Sequence, residues 1–421
     1  MKKNTDVLII GAGLSGLIAA AKAAAYNKKV LLVAKGMGAI GLSSGCIDLW
    51  GYRTDNPEQV CPNPIEEIDT MLEVNQAHPY SLVIDELGES VSFFQKICAE
   101  NNNPYFDNQG GNWLLPTALG TLRPTYLAPA SMALGNLHNV KRILVVGFEE
   151  LKDFYPDVLV DNLKNTGELS SDCRLDTALI KAGGGELSSN NLAHLLEKTE
   201  IQSSIINQLI SHITADTIIL FPPVLGERWD SKAVDNISNG LGCPIYEVAN
   251  IPPALPGQRL QQMLLHHIKR QGVEVILGCT VTDAYIKDKK CLEILAIGSG
   301  KQINIKAKNI VLATGSFLGG GLASKLGEVW ESIFKLPVDT CEGKWSTQEF
   351  LAMEGQPFNK FGIRVNDSLH PIDNQGQVLV ENLLVTGANL SGSNFAIEKC
   401  GNGVALATGY KAGKLVGEVG Q

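Results

Sequence analysis

Apolar residues fall along the 421-residue chain in short runs that alternate between strand-like and helix-like spacing. Val7-Leu8-Ile9-Ile10 reads as a buried strand and runs directly into Gly11-Ala12-Gly13-Leu14-Ser15-Gly16. An alanine-rich helix over 18–26 and a second strand over 29–33 follow, which is the spacing of a βαβ unit. Far along the chain, Leu260, Met263, Leu264 and Ile268 share one face of a helix predicted over 259–271, ended by Gly272 and followed by a strand over 273–277. Three short strands are predicted over 281–286, 291–297 and 302–306, then an apolar strand from Asn309 that ends in Ala313-Thr314-Gly315-Ser316. A last strand over 383–386 leads through Gly387-Ala388-Asn389 and a polar loop to a glycine-rich helix start, Cys400-Gly401-Asn402-Gly403.

These pieces predict an α/β fold in which 1–50 and 251–421 form one discontinuous dinucleotide-binding domain. The proline-rich stretch Ile251-Pro252-Pro253 opens its second part. Residues 51–250 are expected as an inserted α/β cap, with strands over 142–146 and 217–221, the latter stopped by Pro222-Pro223. A second, small insertion is expected over 347–377.

The glycine turn predicts a phosphate cradle. Gly11 permits the tight turn, Gly13 lets backbone approach an anion, and Gly16 lets the helix pack on its strand, with Leu14 and Ser15 at the helix start. The second strand ends in Val33-Ala34-Lys35-Gly36, without the acid that usually takes the adenosine ribose hydroxyls. Two accounts stay open: the cofactor has no adenosine half, as in FMN, with Lys35 beside a phosphate, or backbone groups hold the adenosine of FAD and Lys35 is solvated. Ser43, Ser44, Gly45 and Cys46 supply small side chains and backbone amides suited to close passage of phosphate and ring. Cys46 has no cysteine nearby in sequence and reads as a packing residue.

Composition narrows the chemistry. A formal net charge of −9 argues against nucleic acid or an anionic membrane as the main partner. No run is long and apolar enough for a membrane span, and a cytoplasmic chain is expected. Nine cysteines without a CxxC pair suit reduced thiols and no iron–sulfur cluster. The seven histidines make no ligand pattern, so no metal is expected. Arg123, in a polar turn of the cap, and Arg259, at the start of the amphipathic helix, are candidate phosphate or carboxylate ligands, although each alone reads first as a structural ion pair.

In order along nearly the whole chain, the glycine turn, Ser43 to Leu49, His78-Pro79-Tyr80, Leu119 to Arg123, Pro252-Pro253 with Arg259, Gly315-Ser316-Phe317 with Gly319-Gly320-Gly321, and Cys400 to Gly403 resemble the B subunits of anaerobic glycerol-3-phosphate dehydrogenases. The resemblance implies a flavin-binding Rossmann domain of the glutathione-reductase and fumarate-reductase kind, in which Gly315, Ser316, Gly387, Ala388, Asn389, Gly401, Asn402 and Gly403 approach the cofactor. It implies FMN here, with two partners: an FAD-containing subunit, and an iron–sulfur subunit that tethers the pair to the cytoplasmic face of the membrane. The implied reaction oxidises sn-glycerol 3-phosphate to dihydroxyacetone phosphate and passes electrons to menaquinone. The alternatives are a self-sufficient FAD oxidoreductase of the fumarate-reductase type and a flavin-free structural subunit.

Overall fold

The computed structural model describes residues 1–135, 137–249, 254–298, 300–340 and 344–419; the proline-rich stretch 251–253 of the sequence reading lies outside them. The chain divides into two compact units, one of 1–40, 48–97 and 263–421, the other of 41–47 and 98–262. The insertion therefore differs in its limits from the predicted 51–250. Residues 51–97 group with the first unit, where Tyr410 donates to Glu89 and Lys411 donates to the Leu82 carbonyl. Residues 41–47 group with the second, where Ile47 exchanges backbone hydrogen bonds with Leu127.

The first unit is built on a seven-stranded sheet. Its strands are β1 (Lys2–Ile10), β2 (Val30–Ala34), β3 (Glu274–Leu277), β4 (Thr280–Lys287), β5 (Lys290–Gly298), β6 (Lys301–Leu312) and β7 (Leu383–Val385). The order is β3-β2-β1-β6-β5-β4, with β7 also paired to β6. β3, β2, β1, β6 and β7 run parallel, and β4 and β5 form the antiparallel meander. The inner segments of β1 and β2 are buried on both faces, which is why Val7 to Ile10 and Val30 to Val33 read as unbroken apolar runs, whereas the edge strand β3 is partly exposed.

One strand, β6, spans what the sequence pattern divided into two. Its first half pairs with β5, while Ile310 to Leu312 pair with β7, so Lys306-Ala307-Lys308 is a change of neighbour and not a turn. Helix α1 (Leu14–Ala24) crosses from β1 to β2, and the closing helices are α2 (Phe395–Glu398) and α3 (Gly401–Glu418). α1 and α3 pack through small residues: a Cβ on Gly409 would lie 2.4 Å from the Ser15 carbonyl oxygen.

The second unit is an α/β body on a four-stranded parallel sheet ordered Ile245–Glu247, Thr217–Phe221, Arg142–Phe148, Arg174–Ile180. Its core includes the fully buried Phe148 and Phe221. Among the described residues no helix is long and apolar enough to cross a membrane.

Candidate functional site

A cleft of about 360 Å³ opens in the first unit where the parallel strands end. That size suits a small molecule or cofactor, and the carboxyl ends of parallel strands are where such sheets bind ligands. Gly11 has φ +118°, and a Cβ there would lie 2.2 Å from the Ala313 carbonyl oxygen, so the tips of β1 and β6 meet at backbone distance. Gly16 is equally constrained, since its Cβ would strike the Gly11 carbonyl oxygen. Gly13 differs: among the described residues a Cβ there meets no atom within 4 Å beyond its own chain neighbours, and Gly13 lines the cleft. Gly13 also caps α1, and no side chain caps the helix. The first-turn amides are thus left for an anion.

The cleft runs in two directions from this turn. One arm follows Ala34, Lys35 and Gly36 at the end of β2 to Thr280 on β4. The other passes Gly315 and Ser316 to Ala388 and to Gly401 and Asn402 in the first turn of α3. This second wall is fixed from behind. The fully buried Asn389 accepts the Gly315 N–H at 2.7 Å and donates to Thr314 Oγ1 at 3.0 Å. Gly387, at φ +65°, donates its N–H to Thr408 Oγ1 and leaves room for the Ser15 side chain.

The predicted residues separate into three groups. Gly11, Gly13, Leu14, Ser15 and Lys35 line the cleft, as do Gly315, Ser316, Ala388, Gly401 and Asn402. Gly16, Gly387, Asn389 and Gly403 support it from behind; Gly403 donates its N–H to the Asp48 carbonyl, and a Cβ there would meet Tyr80 Oη. Ser43, Ser44, Gly45 and Cys46 belong to the second unit, where Gly45 packs on Pro256 and Cys46 is buried with Leu115, Ala128 and Met132.

Both candidate arginines are in the second unit as well. Arg123 lies half-buried on strand Leu122–Thr125, opposite Leu115. Arg259 is buried and forms a two-pronged ion pair with Glu247, at 2.6 and 3.1 Å, while its Nε donates to the Gly226 carbonyl. That is the structural ion pair of the two sequence readings.

Other lining residues carried no local signal. Thr280 reaches the cleft through the register of β4, while Ile333 and Phe395 come from irregular or short segments. Behind Ile333, the fully buried Glu331 accepts the Ile333 and Phe334 N–H groups at 2.8 and 2.6 Å. Burial nonetheless pushes its carboxyl above the ordinary glutamate value. Burial also raises the Cys61 thiol to about 12 and the Cys400 thiol well above its usual range.

A parallel sheet with a glycine turn, an uncapped helix start and a two-armed cleft at its strand ends defines a nucleotide-cofactor protein of the doubly wound class. A family model described as an FAD binding domain matches residues 6–404, and the chain belongs to that family of flavin-dependent oxidoreductases. The chain is 30% identical, over 99% of both sequences, to the B subunit of a probable anaerobic glycerol-3-phosphate dehydrogenase of Halobacterium salinarum. It is 29% identical to the anaerobic glycerol-3-phosphate dehydrogenase B subunit of Vibrio cholerae, over 97% of this chain and 95% of that one. Among solved structures it is similar to a 3-ketosteroid delta1-dehydrogenase from Sterolibacterium denitrificans, with 11% identity, a TM-score of 0.47 and 99% of each chain covered.

Proposed function

We propose that the chain is the flavin-carrying B subunit of an anaerobic glycerol-3-phosphate dehydrogenase. It would work with an FAD-containing subunit, and with an iron–sulfur subunit that attaches the pair to the cytoplasmic face of the membrane. The complex would oxidise sn-glycerol 3-phosphate to dihydroxyacetone phosphate and deliver the electrons to quinone. The observation that carries this reading is the open space over Gly13 at the uncapped start of α1, in a chain whose full-length relatives bear that name.

A bound flavin supplies the capacity to take up two electrons and release them singly. The chain's own groups supply the rest. The α1 amides and Gly13 hold phosphate, Asn389 keeps the Gly315 loop in place, and the start of α3 turns its positive end toward the cleft. Arg123 remains the candidate for the substrate's phosphate.

FMN is the first reading, because Ala34 stands where a ribose-binding acid is usual. FAD is the second, favoured by the cleft's lining continuing past Ala34, Lys35 and Gly36 to Thr280, the side on which an adenosine half would lie. Chromatography of the flavin released from purified protein separates them, and release of nothing would overturn both. Gly13→Val should fold with the melting temperature of the flavin-free wild type yet lose its yellow colour, because its side chain enters the cradle. A fully loaded Gly13→Val protein would rule this site out.

A further inference from the structure

The corner between α2 and α3 gathers His78, Glu398 and Cys400, from places more than 300 residues apart. Glu398 Oε2 accepts the Asn394 N–H at 2.7 Å and the Cys400 thiol at 3.2 Å, and faces His78 Nε2 at 3.4 Å. His78 and Cys400 are fully buried, with 3.9 Å between Nε2 and Sγ. These separations approach the roughly 3.3–3.6 Å between ligand atoms of a tetrahedral zinc site. The opposite edge of the imidazole argues against a metal. His78 Nδ1 accepts the Tyr80 N–H at 3.2 Å, so the neutral ring carries its proton on Nε2 and offers no lone pair there. Burial, reinforced by Glu398, keeps the Cys400 sulfur a protonated donor. The cluster is a carboxylate gathered by donors.

That carboxylate sits at a particular place. Glu398 closes α2, Lys399 turns the chain at φ 50° and ψ 50°, and Cys400 caps α3 with no side-chain hydrogen bond to the helix start. The next two residues, Gly401 and Asn402, line the cleft. One side chain therefore joins His78 to Cys400, the residue that caps α3 next to its positive end.

We propose that Glu398 is a positioning residue for the flavin, aiming the first turn of α3 at the cleft while its negative charge tempers the positive potential of the helix end. The proposal rests on reading the cleft as a flavin site. A reduced flavin carries more negative charge, so removing the carboxylate makes reduction easier.

The test is a spectroelectrochemical titration of the flavin-loaded chain, with flavin content and melting temperature measured on the same preparations. Glu398→Gln should shift the midpoint potential upward, and Glu398→Asp should return it most of the way. Cys400→Ala, which takes away one donor and leaves the charge less compensated, should shift it downward and serves if Glu398→Gln does not fold. Lower melting temperatures with an unchanged potential would overturn the inference alone. A wild-type chain that takes up no flavin would overturn the reading of the cleft and this inference with it.

Discussion

Gly13 and Glu331 stand on opposite sides of the same physical rule. One serves the cleft by leaving space empty, the other by filling buried space with a group that resists charge. Glu331 holds the Ile333 and Phe334 amides, but as a buried carboxyl its proton is bound more tightly in the folded chain than in the unfolded one. For an acid shifted in this direction, stability is fully present below the ordinary value of 4.5 and is lost as pH rises from there toward the folded value. Glu331→Gln keeps one of the two acceptors, loses some stability at every pH, and has no proton to lose. It should therefore retain more of its melting temperature than the wild type as pH climbs above that value. Parallel melting-temperature curves for the two proteins would refute the assignment.

At the scale of elements, the ion pair of Arg259 and Glu247 ties the start of helix Leu255–Arg270 to strand Ile245–Glu247, and Glu247 also accepts the Leu225 N–H at 2.8 Å. Arg259→Ala strands a buried carboxylate and should cost about 3–5 kcal/mol, read by urea unfolding. Arg259→Met with Glu247→Leu should recover much of that loss; a double variant as weak as the single one would show that the pair contributes more than mutual neutralisation. Elements whose determinants are local were legible in the sequence. The βαβ unit announced itself because Gly11, Gly13 and Gly16 each answer a backbone constraint within a few residues. β6 was not read as one strand, because its change of partner from β5 to β7 depends on residues some seventy positions away. The same holds for the site: the glycine loops were visible, whereas Thr280, Phe395 and the His78–Glu398–Cys400 cluster arise only from tertiary register. Ser43 to Cys46 were read from composition alone, and small residues there also serve tight packing such as that of Gly45 on Pro256.

For the molecule as a whole, the expected outcome concerns division of labour. If the chain is one member of a three-part respiratory complex, the purified chain alone should bind flavin yet show no glycerol-3-phosphate:quinone activity. Co-expression with the other two subunits should bring it into the membrane fraction together with that activity. Steady-state turnover by the isolated chain at the rate of the complex would favour the self-sufficient oxidoreductase instead.

The pairing of β1 with β6 also has a consequence for synthesis. Lys2 to Ile10 are made about three hundred residues before Asn304 to Leu312, their neighbours on one side. Most of the second unit, 98–262, is complete before then. The nascent chain must therefore carry an apolar, half-paired central strand until β6 is made, and the phosphate turn gains its Ala313 backing only then. Cofactor capture at this turn is thereby postponed until β6 has been made, and the intermediate that precedes it exposes one edge of an apolar strand.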